Sequence, residues 1–341
     1  MRLALAALCG LLLTGSALAA SDDTDPHNKP VKVVADQRLT VTAAAGTGQL
    51  PLYVSADWTR PQPGIIRALL VFHGKLRDAD VYLKSGEAAL AAAGDGAKGT
   101  LLIVPQFLDD LDMAPHELPA QLLHWGPDAW MGGEPAHGPA ALSSFEAIDA
   151  ILARLADRSL FPALQTVVVA GHSGGGQVVQ RYAVVGKGET VLTARGIHVR
   201  YLVANPSSYV YFSKDRPVAD DGSACPGFDR WKYGFEAPPP YVEGEAVTAL
   251  ETRYVARDVV YLLGGNDIDP NHAALDKSCE AEVQGPYRLA RGHAYFAYLQ
   301  ARHPGLTQQL HEVPGVGHEG AKMLGSACGL AALFDLPGCS E

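Results

Sequence analysis

The sequence predicts an α/β fold, a mostly parallel central sheet with helices on both faces and a small cap made by loop insertions. Three observations predict it. Short apolar runs bounded by turn residues recur along the chain, helical patterns lie between them, and 341 residues at 48% hydrophobic and 19% charged supply a sizeable core. No self-similarity at roughly 20 to 50 residues points to a repeat array instead.

In chain order, the opening MRLALAALCGLLLTGSALAAS places Arg2 before an apolar run from Leu3 to Leu13 and ends in Ala17-Leu18-Ala19, the small-x-small pattern of a cleavage site. Residues 1–20 are expected to be an export signal, because the run is shorter than the roughly 20 apolar residues of a spanning helix. The protein is therefore expected to be secreted or periplasmic, with no stable membrane insertion. Residues 21–38, polar with Pro26 and Pro30, are expected as a flexible tail, and residues 39–341 as a single domain.

Strands are expected at Leu52 to Ala56, Ala68 to Phe72, Leu101 to Val104, Val167 to Ala170, Tyr201 to Ala204 and Val259 to Leu263, with a last one from Leu310. Between them the clearest helix spans Ser143 to Arg158. Ser143-Ser144-Phe145-Glu146 forms a capping box ahead of Ile148, Ile151, Leu152 and Leu155. In such a sheet, functional loops gather at the carboxyl ends of the strands. Two connections are too long for simple crossovers. Leu108 to Ala141 carries Trp125 and Trp130, and Pro206 to Gly244 carries Tyr209, Tyr211, Phe212, Trp231, Tyr233 and Phe235. The second, 206–244, is expected as the cap.

A net charge of −10 without an arginine-rich run argues against a nucleic-acid partner. Beyond Cys9, in the expected signal, Cys225, Cys279, Cys328 and Cys339 allow three disulfide pairings. Cys225 with Cys279 and Cys328 with Cys339 is the preferred one, since the last two close a short C-terminal loop. Metal binding is disfavoured by the absence of CxxC or HxxxH spacing.

The stretch Gly171-His172-Ser173-Gly174-Gly175 follows a valine-rich strand and precedes Val178, Val179 and Tyr182 at helical spacing. This G-x-S-x-G pentapeptide in a strand-to-helix turn resembles the α/β-hydrolase superfamily. The resemblance follows the strand order from about Leu39 to Phe334; its specific motifs are the elbow and two partner loops. It implies the α/β-hydrolase fold, Ser173 as nucleophile, and partners in the order serine, acid, histidine. Asp267, in Gly264-Gly265-Asn266-Asp267 after a strand, matches the acid, with Asp269 as its rival. His318, in a glycine-rich loop after the last strand, matches the base, whereas His303 and His311 read as packing or surface residues.

The resemblance also implies an oxyanion hole from the amides of Gly174 and Lys75, with Leu76 as second choice. His73-Gly74-Lys75-Leu76 departs from the family's HGGG form. No metal or organic cofactor is implied. In its elbow and cap the chain is similar to secreted carboxylesterases, including feruloyl-esterase-like and polyester-depolymerase-like members, which implies a small or polymeric ester substrate. Trp125, Tyr209 and Trp231 are the expected substrate-binding residues. A secreted serine peptidase of the same fold and a catalytically silent binding protein are the alternatives. With His318 as base, activity is expected to fall on the acid side around pH 6 to 7.

Overall fold

The structure, a computed structural model, describes residues 26–218 and 223–339. The expected export signal lies outside the described residues. The strands are β1 (Gln37–Ala43), β2 (Gly46–Val54), β3 (Arg67–Phe72), β4 (Thr100–Pro105), β5 (Leu108–Asp109), β6 (His124–Trp125), β7 (Thr166–His172), β8 (His198–Ala204), β9 (Asp258–Gly264) and β10 (Gln309–Val313). Eight of them form one sheet in the order β1-β2-β4-β3-β7-β8-β9-β10, and β5 pairs with β6 separately. β2 runs antiparallel to β1 and β4, and every other pairing in the large sheet is parallel.

The six expected interior strands are all present because their residues suit burial on both faces: β7 is buried from Val167 to His172. β1 was not anticipated as a separate strand. Its signal is alternation, with Leu39 and Val41 buried between exposed Thr40 and Thr42, which suits an edge strand with one wet face.

The helices are α1 (Ala79–Ala93), α2 (Asp110–Met113), α3 (Ser144–Leu155), α4 (Gly174–Val185), α5 (Glu189–Thr193), α6 (Val247–Val255), α7 (Cys279–Glu282), α8 (Arg288–Arg302), α9 (Gly320–Gly325) and α10 (Ala327–Phe334). On one face of the sheet Leu70, Phe72, Val167 and Val169 pack with α3, α4, α6 and α8. On the other, Leu69, Val71, Val168 and Ala170 pack with α1, α9 and α10. The capping box starts α3 as the sequence predicts: Phe145 N donates to Ser143 Oγ, and Ser143 N to Glu146 Oε2 at 2.8 Å. Such a cap contributes about 1 kcal/mol.

Residues 26–38 correct the expectation of a flexible tail. Val31 N donates to Asp112 Oδ1 and Ala35 N to Gln106 Oε1, each at 2.8 Å, and Val31 and Ala35 are buried. A buried Arg77–Asp112 ion pair at 2.8 Å supplies one of these anchors, which no local pattern in the tail announces.

Both preferred disulfides are present, Cys225–Cys279 and Cys328–Cys339. The first ties the 206–244 stretch to the segment after β9. Among the described residues no helix is long and apolar enough to cross a membrane.

Candidate active site

The serine turn is built by close backbone approach. β7 ends against β3 and β8, and the chain reverses into α4 at Ser173, whose φ of 59° and ψ of −120° put a residue with a Cβ in strained territory. Ser173 N donates to Ala204 O at 2.9 Å, which fixes the turn on β8. Two glycines permit it: a Cβ on Gly171 would meet Gly175 O at 2.2 Å, and one on Gly175 would meet Phe72 O at 2.3 Å.

Ser173 Oγ lies 2.8 Å from His318 Nε2, and His318 Nδ1 lies 2.7 Å from Asp267 Oδ2. The parallel register of β9 and β10 delivers the acid and the histidine side by side at the carboxyl edge of the sheet. Asn205, just past β8, joins the two loops: its Oδ1 accepts from Gly264 N at 2.8 Å and its Nδ2 donates to Gly317 O at 3.0 Å. Asp269 is exposed and accepts from Asn271 N at 2.8 Å, the hydrogen bond of a turn-forming aspartate. Of the two rival acids, Asp267 is the one that contacts His318.

No family model and no curated protein matches the chain. Among solved structures it is similar to LpqC, a poly(3-hydroxybutyrate) depolymerase from Bordetella parapertussis, with TM-score 0.61 and 22% identity over 88% of this chain and 91% of that one. It is also similar to poly(aspartic acid) hydrolase-1 from Sphingomonas sp. KT-1, with TM-score 0.56 and 22% identity over 86% of this chain and 96% of that one. The chain has the α/β-hydrolase fold.

Within this α/β-hydrolase fold, side chains that the sequence did not single out set the electrostatics. Arg288, at the start of α8, donates from Nη1 to Asp267 Oδ1 at 3.2 Å and from Nε to Ser207 Oγ at 2.9 Å. Burial on its own would raise the Asp267 carboxyl, but the His318 hydrogen bond and the charges of His318 and Arg288 outweigh it and hold the carboxyl below its usual range. His318 is pushed below the ordinary imidazole value of 6.5 by burial, with Arg288 adding to the effect against the pull of Asp267. His172 lies with its ring centre 4.6 Å from that of His318 and its Nδ1 3.0 Å from the Tyr82 hydroxyl. Burial drives its pKa well down, so it stays neutral and adds no second cation beside His318.

Gly174 opens α4, where the first amides of a helix have no intrahelical partner. A Cβ on Gly174 would lie 2.9 Å from Lys75 N, so the backbone of the two residues converges next to Ser173. His73 orients the second amide. Its Nε2 accepts from Phe107 N at 2.9 Å, which leaves the ring proton on Nδ1 to donate to Gly74 O at 2.9 Å. Burial takes its pKa down to about 4, so this tautomer persists at neutral pH. The Lys75 side chain pairs with Asp128 at 3.1 Å, and Leu76 is 41% exposed.

Ser173 sits where two clefts meet. One, of about 380 Å³, is lined by Tyr82, His272, His318 and Gly320 among others. The second, of about 190 Å³, is bordered by Lys75, Met131, Gln177, Lys232 and Asp276. A larger hollow of about 560 Å³, by Thr42, Asp149 and Tyr241, contains none of the residues around Ser173.

The three expected substrate-binding aromatics are not at these clefts. Trp125 is wholly buried, edge-on to Phe107, with Nε1 donating to Glu134 O at 3.1 Å. Tyr209 is wholly buried and stacked on Tyr295 at 4.5 Å. Trp231 is half-buried against Phe235 and donates from Nε1 to Gly132 O at 2.6 Å. Their rings are spent on packing long loops onto the domain. The neighbours of Trp231, Lys232 and Tyr233, are the cap residues that reach the smaller cleft. Two clusters that resemble metal ligands, His311 with Cys328 and Cys339, and Cys225 with Cys279 and Glu280, have lost their thiolates to the disulfides.

Proposed function

We propose that the protein is a serine hydrolase that cleaves carboxylic esters, small or polymeric, through an acyl-enzyme intermediate. The observation that carries this reading is the continuous hydrogen-bonded chain from Ser173 through His318 to Asp267, open to two clefts. Ser173 Oγ attacks the ester carbonyl as His318 Nε2 takes its proton, and Asp267, kept ionised by its contacts with His318 and Arg288, stabilises the imidazolium. Negative charge builds on the carbonyl oxygen only as the new bond forms, so amide donors from Gly174 and Lys75 favour the transition state over the substrate. His318 then gives its proton to the departing alkoxide, and water, deprotonated by the same histidine, releases the acid and restores Ser173.

The expected signal at residues 1–20 and the two disulfides support export, to be checked by sequencing the N-terminus of the exported protein, which should begin at residue 21. For the chemistry, the purified protein and its Ser173→Ala variant are treated with a fluorophosphonate probe and offered matched aryl esters and anilides. The variant should lose labelling, and kcat/KM for the esters should fall on the order of 10⁴- to 10⁶-fold. Absence of both labelling and turnover in the unmodified protein overturns the reading in favour of a silent binding protein. Anilides cleaved as readily as esters favour the peptidase.

A further inference from the structure

The two clefts are not equivalent, because the leaving oxygen must receive its proton from His318. The alcohol portion of an ester therefore lies in the cleft that His318 lines, and the acyl portion lies in the 190 Å³ pocket on the other side of Ser173. That pocket is below the roughly 300 to 1,000 Å³ of sites for drug-sized ligands, so it suits a short acyl chain. Its wall is strongly polar.

Charges in this wall are unevenly matched. Lys75 is paired with Asp128 at 3.1 Å. Asp276 accepts from the Tyr233 hydroxyl and from Ser278 Oγ, each at 2.7 Å. Among the described residues Lys232 has no carboxylate within 4 Å of its ammonium, which lies 5.9 Å from the centre of the Tyr233 ring; burial and then the nearby Arg181 guanidinium push its pKa down, against the longer-range pull of Asp128 and Asp276. Arg181 is itself committed, donating to Ser208 Oγ, Gln177 Oε1 and Lys232 O. With exposed Lys277 at the rim, the pocket counts three lysines to two aspartates, and Lys232 is the lysine of this wall that is partly withdrawn from water without a direct ion pair. A partly desolvated ammonium with no carboxylate in direct contact gains from an anion that enters its site.

We propose that this pocket selects acyl groups ending in a carboxylate, which Lys232 pairs with, so that the preferred substrates are hemiesters of short dicarboxylic acids. The inference deepens the serine-esterase reading and rests on it. A charge-assisted hydrogen bond of this kind corresponds to about 10- to 150-fold in kcat/KM.

The test compares ethyl hydrogen glutarate with the isosteric ethyl ester bearing an isopropyl group in place of the carboxylate, both followed by proton release. The unmodified protein should favour the hemiester at least tenfold. In Lys232→Met the ratio of the two kcat/KM values should fall by that same about 10- to 150-fold, and Lys232→Arg should keep most of it. A protein that labels with fluorophosphonate and hydrolyses the neutral ester without favouring the hemiester overturns the pocket assignment and leaves the esterase reading standing. So does a ratio that Lys232→Met does not change. Loss of all labelling and turnover in the unmodified protein overturns both. The comparison of the two esters needs no variant, so a Lys232 substitution that fails to fold does not shelter the proposal.

Discussion

At each end of β9 the chain sets an aspartate against a histidine and an arginine. At the amino end, Asp258 meets His198 Nε2 and Arg200 Nε, both at 2.8 Å. At the carboxyl end, just past the strand, Asp267 meets His318 Nδ1 at 2.7 Å and Arg288 Nη1 at 3.2 Å. The chemistry of the two clusters is nearly the same. Their surroundings are not: the side chains of Asp258, His198 and Arg200 are 30%, 54% and 21% exposed, whereas those of Asp267, His318 and Arg288 are 9% exposed or less. Water screens the first cluster and leaves it a modest surface tie. In the second, fixed charges act on one another in a less polar medium, and beyond the histidine stands a strained serine instead of solvent. What separates a site from an ion pair here is burial and the next atom in line.

The comparison breaks most visibly at the aspartates. Asp267→Asn removes the acceptor that holds the histidine tautomer, and kcat/KM for a neutral ester should fall on the order of 10³- to 10⁴-fold. Asp258→Asn, the same change one strand length away, should leave kcat/KM unaltered. Equal losses in the two variants would show that the carboxyl-end cluster has no special standing.

The arginines sharpen it further. Arg288→Met removes a cation that positions Asp267 through one hydrogen bond and Ser207 through another, and should lower kcat/KM on the order of 10- to 100-fold by loosening the geometry of the relay. Breaking a buried pair is also costly to stability, about 3 to 5 kcal/mol, so thermal denaturation should reveal a lowered Tm. Arg200→Met should leave kcat/KM unchanged. A variant of Arg288 with full activity would reduce the arginine to a packing element.

Much of this contrast is legible in the amino-acid sequence. The strand-turn-helix around Ser173 and the loops carrying Asp267 and His318 are local patterns, each complete within about ten residues, and local patterns survive in a one-dimensional string. Arg288 stands 21 residues from Asp267, and Asn205 112 residues from Gly317, so their pairing exists only after the sheet has formed. Asp267 and Asp269 differ in the string by two positions and in space by which one faces His318. Trp125 and Tyr209 misled for the opposite reason: aromatic residues in glycine- and proline-rich connections read as exposed ligand contacts, but these connections fold inward and use them as core. The tail at residues 26–38 is anchored by Asp112 and Gln106, more than 70 positions away.

The smallest expected effect is a displacement along the pH axis, and its sign follows from the same cluster. The acid limb of kcat/KM reports the free enzyme's base, which must be neutral to accept the Ser173 proton. Because burial and Arg288 lower the His318 pKa, the limb should have its midpoint below the 6.5 of an ordinary imidazole. Replacing Arg288 by Met takes a positive charge from beside the imidazolium, which makes protonation easier, so the limb should move to higher pH. Replacing Asp267 by Asn takes away a stabilising anion and hydrogen-bond acceptor, so in that variant the residual activity should show a limb moved to lower pH. Asp258→Asn and Arg200→Met, at the far end of β9, should leave the limb where it was. Profiles recorded with a neutral ester between about pH 4 and 8 decide the matter. Opposite movements from the two carboxyl-end variants mark His318 as the titrating base, held between an anion and a cation, and a limb indifferent to both would assign the titration to another group.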